Sequence, residues 1–145
     1  MKRAISLVAL SPLLLAGCGQ SDTERQELGS QSYADPQQMA DDLTAGGIAC
    51  EMTTDADESR FGANSGRCTT TESELVLLTF DDDSDRDEYQ RFVTVELPSM
   101  FNTGTCLLTG PNWAVNCGMA EKSFADQLQS DVFGGDLVYL PSQVG

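Results

Sequence analysis

The chain has five cysteines and 23 carboxylates whose side chains could do chemistry, and it has no histidine. Without histidine the chain lacks the commonest general base, the Ser-His and Cys-His nucleophile arrangements and the commonest zinc ligand. The histidine-dependent classes of hydrolase are therefore excluded. No catalytic residue, metal site or cofactor is assigned from the sequence, and the chemistry left to consider is that of thiols and carboxylates.

Cys18 stands directly after small residues at the end of an apolar run. Lys2 and Arg3 precede an uncharged stretch, residues 4–15, which is followed by Ala16-Gly17-Cys18. A short basic head, an apolar segment too short to span a bilayer and a small-residue cleavage site are typical of an export signal. The alternative to a specific role for Cys18 is an ordinary secretory signal that happens to contain a cysteine.

The order of these residues resembles the lipobox of bacterial lipoproteins. The resemblance implies that residues 1–17 are removed and that Cys18 carries a diacylglyceryl group on an amino terminus that is often acylated too. It implies a lipid-anchored protein on the extracytoplasmic face of the cell membrane. Because residue 19 is not Asp, the expected site in a Gram-negative host is the outer membrane. The excess of arginine over lysine favours an actinobacterial host, with the anchor in the cytoplasmic membrane.

The mature chain is strongly acidic. The formal net charge of −15 becomes more negative when Lys2 and Arg3 leave with the signal. This charge repels nucleic acid and anionic lipid surfaces, and it favours solubility, basic partners or cations. The length fits one domain plus a tether. Residues 18–34, polar after Cys18, are predicted to be a flexible tether, and residues 35–145 a single domain.

Four cysteines remain beyond the lipidated one: Cys50, Cys68, Cys106 and Cys117. In an exported domain they predict two disulfides, for which three pairings exist. We favour Cys50–Cys68 and Cys106–Cys117, since each pair brackets a local chain reversal. A hairpin that turns at residues 110–113 would place Cys106 opposite Cys117. A thiol catalyst and a zinc site are the alternatives, but there is no Cys-x-x-Cys motif and no short ligand spacing.

Three helices are expected. The first begins at Asp35-Pro36, with Asp35 as the cap, and ends at Gly46-Gly47. The second begins in the acidic residues 81–87, where Ser84 and Asp87 have capping-box spacing. Its predicted buried stripe consists of Tyr89, Phe92, Val93, Leu97 and Met100. The third contains Ala120, Phe124 and Leu128.

Short strands alternate with these helices. They are predicted at Ile48–Met52, Gly66–Thr71, Glu74–Phe80, Thr105–Thr109, Trp113–Cys117 and Leu137–Leu140, with a polar loop at Thr53–Ser65. The continuously apolar Leu75–Leu78 is typical of a central strand covered on both faces. The fold class is therefore α+β: an antiparallel-rich sheet of about five to six strands with three helices, packed mainly on one face, and two disulfides.

Two further features could bind something. The acidic residues Asp81, Asp82, Asp83, Asp85, Asp87 and Glu88 are either a helix cap with a solvated face or a weak cation site. Arg86 and Phe92 stand where a calcium loop needs glycine and glutamate. Trp113, the single tryptophan, either anchors a partner or ligand or folds back over a core edge.

Several short motifs together resemble small secreted lipoproteins of actinobacteria. They are the lipobox, Gly47-Ile48-Ala49-Cys50, Gly66-Arg67-Cys68, the strand ending at Phe80 before an acidic helix start, and Gly110-Pro111-Asn112-Trp113-Ala114-Val115. The resemblance implies lipidation at Cys18 and disulfide roles for the other cysteines, and it carries over no catalytic residue. We expect a binding or interaction module of the cell envelope, whose partner is an envelope protein or a small ligand. The alternatives are a carboxylate-based enzyme and a cation-binding or structural envelope protein.

Overall fold

The computed structural model describes residues 28–53 and 59–142. The predicted signal, Cys18 and residues 19–27 of the predicted tether lie outside the described residues. Within them the chain forms a six-stranded antiparallel sheet, three helical segments and two disulfides. The predicted α+β fold class is confirmed.

The first helix, α1, spans Pro36–Ala45 and begins as its sequence predicts. The Asp35 carboxylate accepts a hydrogen bond from the Gln38 N–H at 3.0 Å, and Pro36 takes the first helical position. The Gln38 side chain reaches back and accepts from the Ala34 N–H at 2.9 Å. These bonds satisfy N–H groups near the start of the helix that have no partner within it.

The second helical segment, α2, has three parts: Asp83–Arg91, a π-helical Phe92–Glu96 and Leu97–Phe101. Tyr89 and Val93 of the predicted stripe are buried. Met100 is 61 % exposed, so the prediction that it is buried is wrong. The wider π turn hydrogen-bonds over five residues instead of four. It therefore rotates the last turn of α2 away from the face that the regular helical spacing predicts.

The third helical segment, α3, spans Lys122–Gln127 and continues as a π-helical Leu128–Phe133. Its apolar face is buried as predicted, with Phe124 and Leu128 inside the core. It ends at Gly134, whose φ of 65° lies in the left-handed region that favours glycine.

The six strands are β1 (Glu51–Thr53), β2 (Ala63–Thr69), β3 (Glu74–Phe80), β4 (Thr105–Thr109), β5 (Trp113–Asn116) and β6 (Asp136–Leu140). Their order in the sheet is β1-β2-β3-β5-β4-β6, and every neighbouring pair is antiparallel. A 3₁₀ turn, Ser59–Phe61, precedes β2. The predicted loop Thr53–Ser65 therefore extends too far, because its last residues belong to β2. Asn64 and Ser65 are polar but pair with residues of β3, and strand pairing overrides their weak β propensity.

The strands β4 and β6 define the two ends of the sheet. Thr109 pairs with Asp136 at one end, called the base, and Thr105 pairs with Leu140 at the other, called the tip. Segment α2 starts at the base, where Arg86 donates to the Pro111 carbonyl oxygen, and runs toward the tip. The base and the tip are therefore both formed by residues of α2, β4 and β6.

The sheet is covered on both faces. Leu75 and Leu77 of β3 lie in a cluster with residues of α1 and α3 and with both disulfides. Leu78 and Phe80 lie in a second cluster with residues of α2. The prediction that β3 is covered on both faces is confirmed. The expectation that the helices pack mainly on one face is correct for α1 and α3. It is wrong for α2, which packs on the opposite face.

Candidate functional site

Both predicted cysteine pairs form. Cys106 and Cys117 join β4 to the end of β5, with their Cα atoms 5.0 Å apart, and the Cys117 N–H donates to the Cys106 carbonyl oxygen at 2.9 Å. Cys50, directly before β1, and Cys68 of β2 form the second pair, with Cα atoms 5.4 Å apart. The register of the β4–β5 hairpin places Cys106 opposite Cys117, as the sequence predicts. In the described structure these four cysteines cross-link the sheet and carry no free thiol.

Residues 28–34, called the strap, belong to the folded domain. The prediction that this part of the tether is flexible is wrong, since Tyr33 is buried. Its ring packs edge-on against the rings of Trp113 and Phe133, with centroids 5.9 and 6.3 Å away. One aromatic residue in a polar stretch is a weak local signal, and only the distant partner rings make it a core residue. The folded domain therefore includes residues 28–34, which lie upstream of the predicted boundary at residue 35.

Hydrogen bonds fix the strap to the β4–β5 turn and to α3. The Asn112 side chain accepts from the Tyr33 N–H at 2.9 Å and donates to the Tyr33 carbonyl oxygen at 2.7 Å. The Trp113 indole N–H donates to the Gln31 carbonyl oxygen at 2.9 Å, and the Gln31 side chain donates to the Phe133 carbonyl oxygen at 2.8 Å. The strap thus forms hydrogen bonds with two side chains of the β4–β5 hairpin and with one backbone carbonyl group of α3.

Trp113 is fully buried beneath the strap, at 0 % exposure. Its ring also packs against Phe133, with the two centroids 5.5 Å apart. The interpretation of Trp113 as a partner-binding residue is wrong for this structure, and the alternative, a ring folded over the core, is the one observed. A buried indole with its N–H satisfied stabilises the fold and offers no surface to a ligand.

The Tyr33 hydroxyl forms a second clamp between the strap and α1. It donates to the Asp42 carboxylate at 2.5 Å and accepts from the Gln31 side-chain amide at 3.1 Å. Burial and, second, the bond to Asp42 raise the pKa of the Tyr33 phenol well above its ordinary value. The phenol therefore stays protonated as a hydrogen-bond donor, which suits a structural clamp and not a catalytic base.

The acidic cluster (Asp81, Asp82, Asp83, Asp85, Asp87 and Glu88) forms the start of α2. Asp82 is the cap: its carboxylate accepts from the Ser84 N–H and hydroxyl, both at 2.8 Å. These two hydrogen bonds lower the pKa of Asp82 below its ordinary value, and the bond from the Ser84 N–H has the larger effect. Ser84 and Asp87 do not form the predicted capping box, since Asp87 pairs with Arg86 at 3.0 Å. Capping, ion pairing and solvation account for the cluster.

A cavity of about 580 Å³, called the base pocket, lies where the strap meets the sheet. It is lined by the strap residues Leu28–Ser30, by Arg86 and Gln90 of α2, by Thr109–Pro111 and by Gly135-Asp136. The Arg86 guanidinium is already engaged, since it donates to the carbonyl oxygens of Gly110, at 3.3 Å, and Pro111. Its role in the structure is to hold α2 against the turn, which sequence analysis did not identify.

A smaller groove of about 360 Å³ opens at the tip, between the last turns of α2 and the end of β6. Half of its lining residues are apolar, namely Val95, Pro98, Leu140 and Pro141, and half are polar, namely Thr94, Ser99, Asn102 and Thr103. Phe101, 64 % exposed, follows one turn after Pro98 on α2. This groove together with Phe101 is called the apolar tip. Sequence analysis missed it because the groove joins residues of α2 to residues at the end of β6, which are distant in sequence.

The described residues hold no group of three His, Cys, Asp or Glu side chains that could bind a metal ion. None of the described helices is long and apolar enough to cross a membrane. Comparison of the chain with family models, with curated proteins and with solved structures gives no match.

Proposed function

We propose that this protein is a lipid-anchored interaction module on the extracytoplasmic face of a bacterial membrane. The observation that carries the proposal is that the five cysteines fall into two groups. Four are consumed in two disulfides within the folded domain. The fifth, Cys18, follows the small residues Ala16-Gly17 at the end of an apolar run.

The disulfides support the compartment, because such bonds persist in oxidising environments outside the cytoplasm. They lie on opposite sides of the sheet centre, one at β1–β2 and one at β4–β5. A domain cross-linked at both places keeps its shape while it is held at a surface. This is the property expected of a module that presents a fixed contact surface.

The chain between the anchor and the domain sets how far the domain stands from the membrane. Cys18 precedes Leu28, the first described residue, by ten positions. At about 3.3–3.6 Å per residue, a fully extended segment of this length spans roughly 35 Å. Acyl chains on Cys18 would hold the domain durably, since each buried methylene contributes about 0.8 kcal/mol.

The engaged state of the polar groups supports binding in preference to catalysis. Asp82 caps α2, Arg86 is paired with Asp87 and with two carbonyl groups, and the Tyr33 phenol remains protonated. The surfaces of the described domain that are open to a partner include the base pocket and the apolar tip. Both are contact surfaces with no activated nucleophile among their described lining residues.

The experiment replaces Cys18 and compares processing and location. Cys18→Ala should abolish the acyl mass and either release the protein from the membrane fraction or leave its signal uncleaved. Gly19→Ala is the matched control, because it changes the neighbouring residue and keeps the thiol. Intact mass spectrometry and membrane fractionation give the readouts. A processed wild-type chain without acyl mass, or a processed Cys18→Ala chain that stays with the membrane, would contradict the proposal.

A further inference from the structure

The sheet has two edge strands, β1 and β6, which differ in length and in side chains. Strand β1 has three residues, and a disulfide holds Cys50 directly before it. Strand β6 has five residues, of which only Asp136 is polar, and none of the five is buried, whereas every residue of β4 is. Natural sheets usually protect their edges with short strands, charge or proline. Within β6 none of these devices follows Asp136, so its edge is open to pairing.

The hydrogen bonds of the β4–β5 hairpin show which backbone groups of β6 point outward. The Cys117 N–H donates to the Cys106 carbonyl oxygen, so the backbone groups of residue 106 face β5. The direction of bonding alternates along an antiparallel strand, so those of Leu107 face β6. Leu107 lies opposite Val138, whose own backbone groups therefore face β4. The residues on either side of Val138 turn their N–H and C=O groups away from the sheet.

The outward backbone groups belong to Leu137 and Tyr139. The next outward group toward the base, the Gly135 carbonyl oxygen, accepts from the Gln129 side chain at 2.9 Å, which fits this direction. No described residue forms a backbone hydrogen bond with the outward groups of Leu137 or Tyr139. These groups recur at every second residue, about 6.8 Å apart. An extended polypeptide presents complementary groups at this spacing, as in the recognition of peptides by strand addition.

The side chains of β6 suit a partner strand with apolar residues at alternate positions. Leu137 and Tyr139 pack partly against the cluster beneath α1 and α3. Val138 and Leu140 lie on the opposite face and belong to neither core cluster, and Leu140 is 48 % exposed. Side chains on one face of two paired strands contact each other. Apolar side chains of an added strand would therefore cover Val138 and Leu140.

Charge favours a basic partner at this edge. The chain has a net charge of −15, and Asp136 is exposed at the start of β6 without an ion pair to any described residue. Lys122, whose ammonium lies 6.0 Å from the centre of the Tyr139 ring, is already paired with Asp126 at 2.7 Å. Charge complementarity steers association and suppresses wrong partners. A second copy of this acidic chain is repelled, whereas a basic peptide is attracted.

We propose that an extended peptide of net positive charge, with apolar residues at alternate positions, adds to β6 as a seventh strand of the sheet. Its backbone pairs with the outward groups of Leu137 and Tyr139, and its apolar side chains cover Val138 and Leu140. This names the partner class of the proposed interaction module and rests on that proposal, though not on the lipid anchor.

The test adds the synthetic peptide Lys-Val-Lys-Val-Thr-Val-Lys to the purified full chain at about 1 mM, where weak complexes form. Amide hydrogen exchange, followed by NMR, gives the readout. Exchange at Leu137 and Tyr139 should slow at least tenfold, whereas that of Val138, already bonded to β4, should not change. The same peptide with methylated backbone nitrogens cannot donate and is the matched control, which should give no protection. Replacing its lysines with glutamates should weaken binding at least tenfold.

A pair of variants tests the edge itself. Leu137→Pro removes an outward N–H that β4 does not use, and proline is tolerated at such edge positions. Leu137→Ala shortens the same side chain but keeps the N–H. The proline variant should lower the protection of Tyr139 by the peptide at least tenfold, and the alanine variant should preserve it. Intact disulfides and unchanged circular dichroism show that each variant is folded, and the two peptides on the wild-type chain decide the matter if the proline variant is not.

Three results would overturn the proposal. They are equal protection by the methylated and unmethylated peptides, protection that does not alternate along β6, and protection of Leu137 and Tyr139 that appears without peptide as the protein concentration rises, which would indicate a second copy. The outcome is separable from that of the lipid anchor. Alternating protection in an acyl-free wild-type chain supports the edge and contradicts only the anchor, whereas its absence in an acylated chain contradicts only the edge.

Discussion

Asn112→Ala should release the strap from the domain. The Asn112 side chain makes two hydrogen bonds to the backbone of Tyr33, at 2.9 and 2.7 Å, and both are lost in the variant. A hydrogen bond of this kind contributes about 1 kcal/mol net, so strap docking should weaken by about 2 kcal/mol. At about 1.4 kcal/mol per factor of ten, the opening equilibrium of the strap should rise about 30-fold.

The single tryptophan reports this opening directly. Trp113 is fully buried beneath the strap and donates its indole N–H to the Gln31 carbonyl oxygen. In Asn112→Ala its fluorescence should shift to longer wavelength and become accessible to acrylamide, and the Tyr33 amide should lose about 30-fold of its hydrogen-exchange protection, the factor of the same 2 kcal/mol. Asn64→Ala, at an exposed position in β2, is the control and should leave both signals unchanged.

If Asn112→Ala keeps the wild-type emission, quenching and Tyr33 protection, the Asn112 clamp does not hold the strap. A global loss of stability with no separate opening of the strap would show instead that the strap and the sheet unfold as one unit.

Two more predictions concern the strap and the turn beneath it. The raised pKa of Tyr33 means that above about pH 10 the unfolded phenol loses its proton while the folded one keeps it, so stability should fall as pH rises further. Tyr33→Phe should flatten this decline in denaturant titrations, and an unchanged slope would show that Tyr33 is not its source. Gly135→Ala should destabilise the domain by more than about 3 kcal/mol, since the residue has a φ of +80° and a Cβ would collide with the Thr109 carbonyl oxygen. Gly47→Ala, with a φ of +87° and no atom near the added Cβ, should cost only about 1–2 kcal/mol, and equal losses of unfolding free energy would contradict the packing argument.

Local signals account for the parts of the fold that the sequence predicts well. The start of α1 follows from Asp35 and Pro36, because a cap acts on the N–H groups of its own helix. The pairing of Cys106 with Cys117 follows from the position of the turn, since the register of a hairpin is set by its loop. Both depend on residues close together in the chain.

Distant contacts decide the features that were predicted wrongly. Tyr33 lies in a polar stretch, yet it is buried against Trp113 and Phe133, which are distant in sequence. The exposure of Met100 depends on the π turn of α2, which the apolar spacing does not reveal. The base pocket and the apolar tip likewise combine residues from separate elements, so neither could be found from a local pattern.

The sequence by itself determined the acidic character of the chain, indicated most helices and strands, and favoured the two cysteine pairs, because each depends on composition or on residues close together in the chain. The tertiary structure decided that residues 28–34 belong to the domain, that Trp113 is core and not surface, and that Arg86 holds α2 against the β4–β5 turn. The physical reason is that burial is a property of partners: a side chain is removed from water by residues that the fold, and not the sequence order, brings against it.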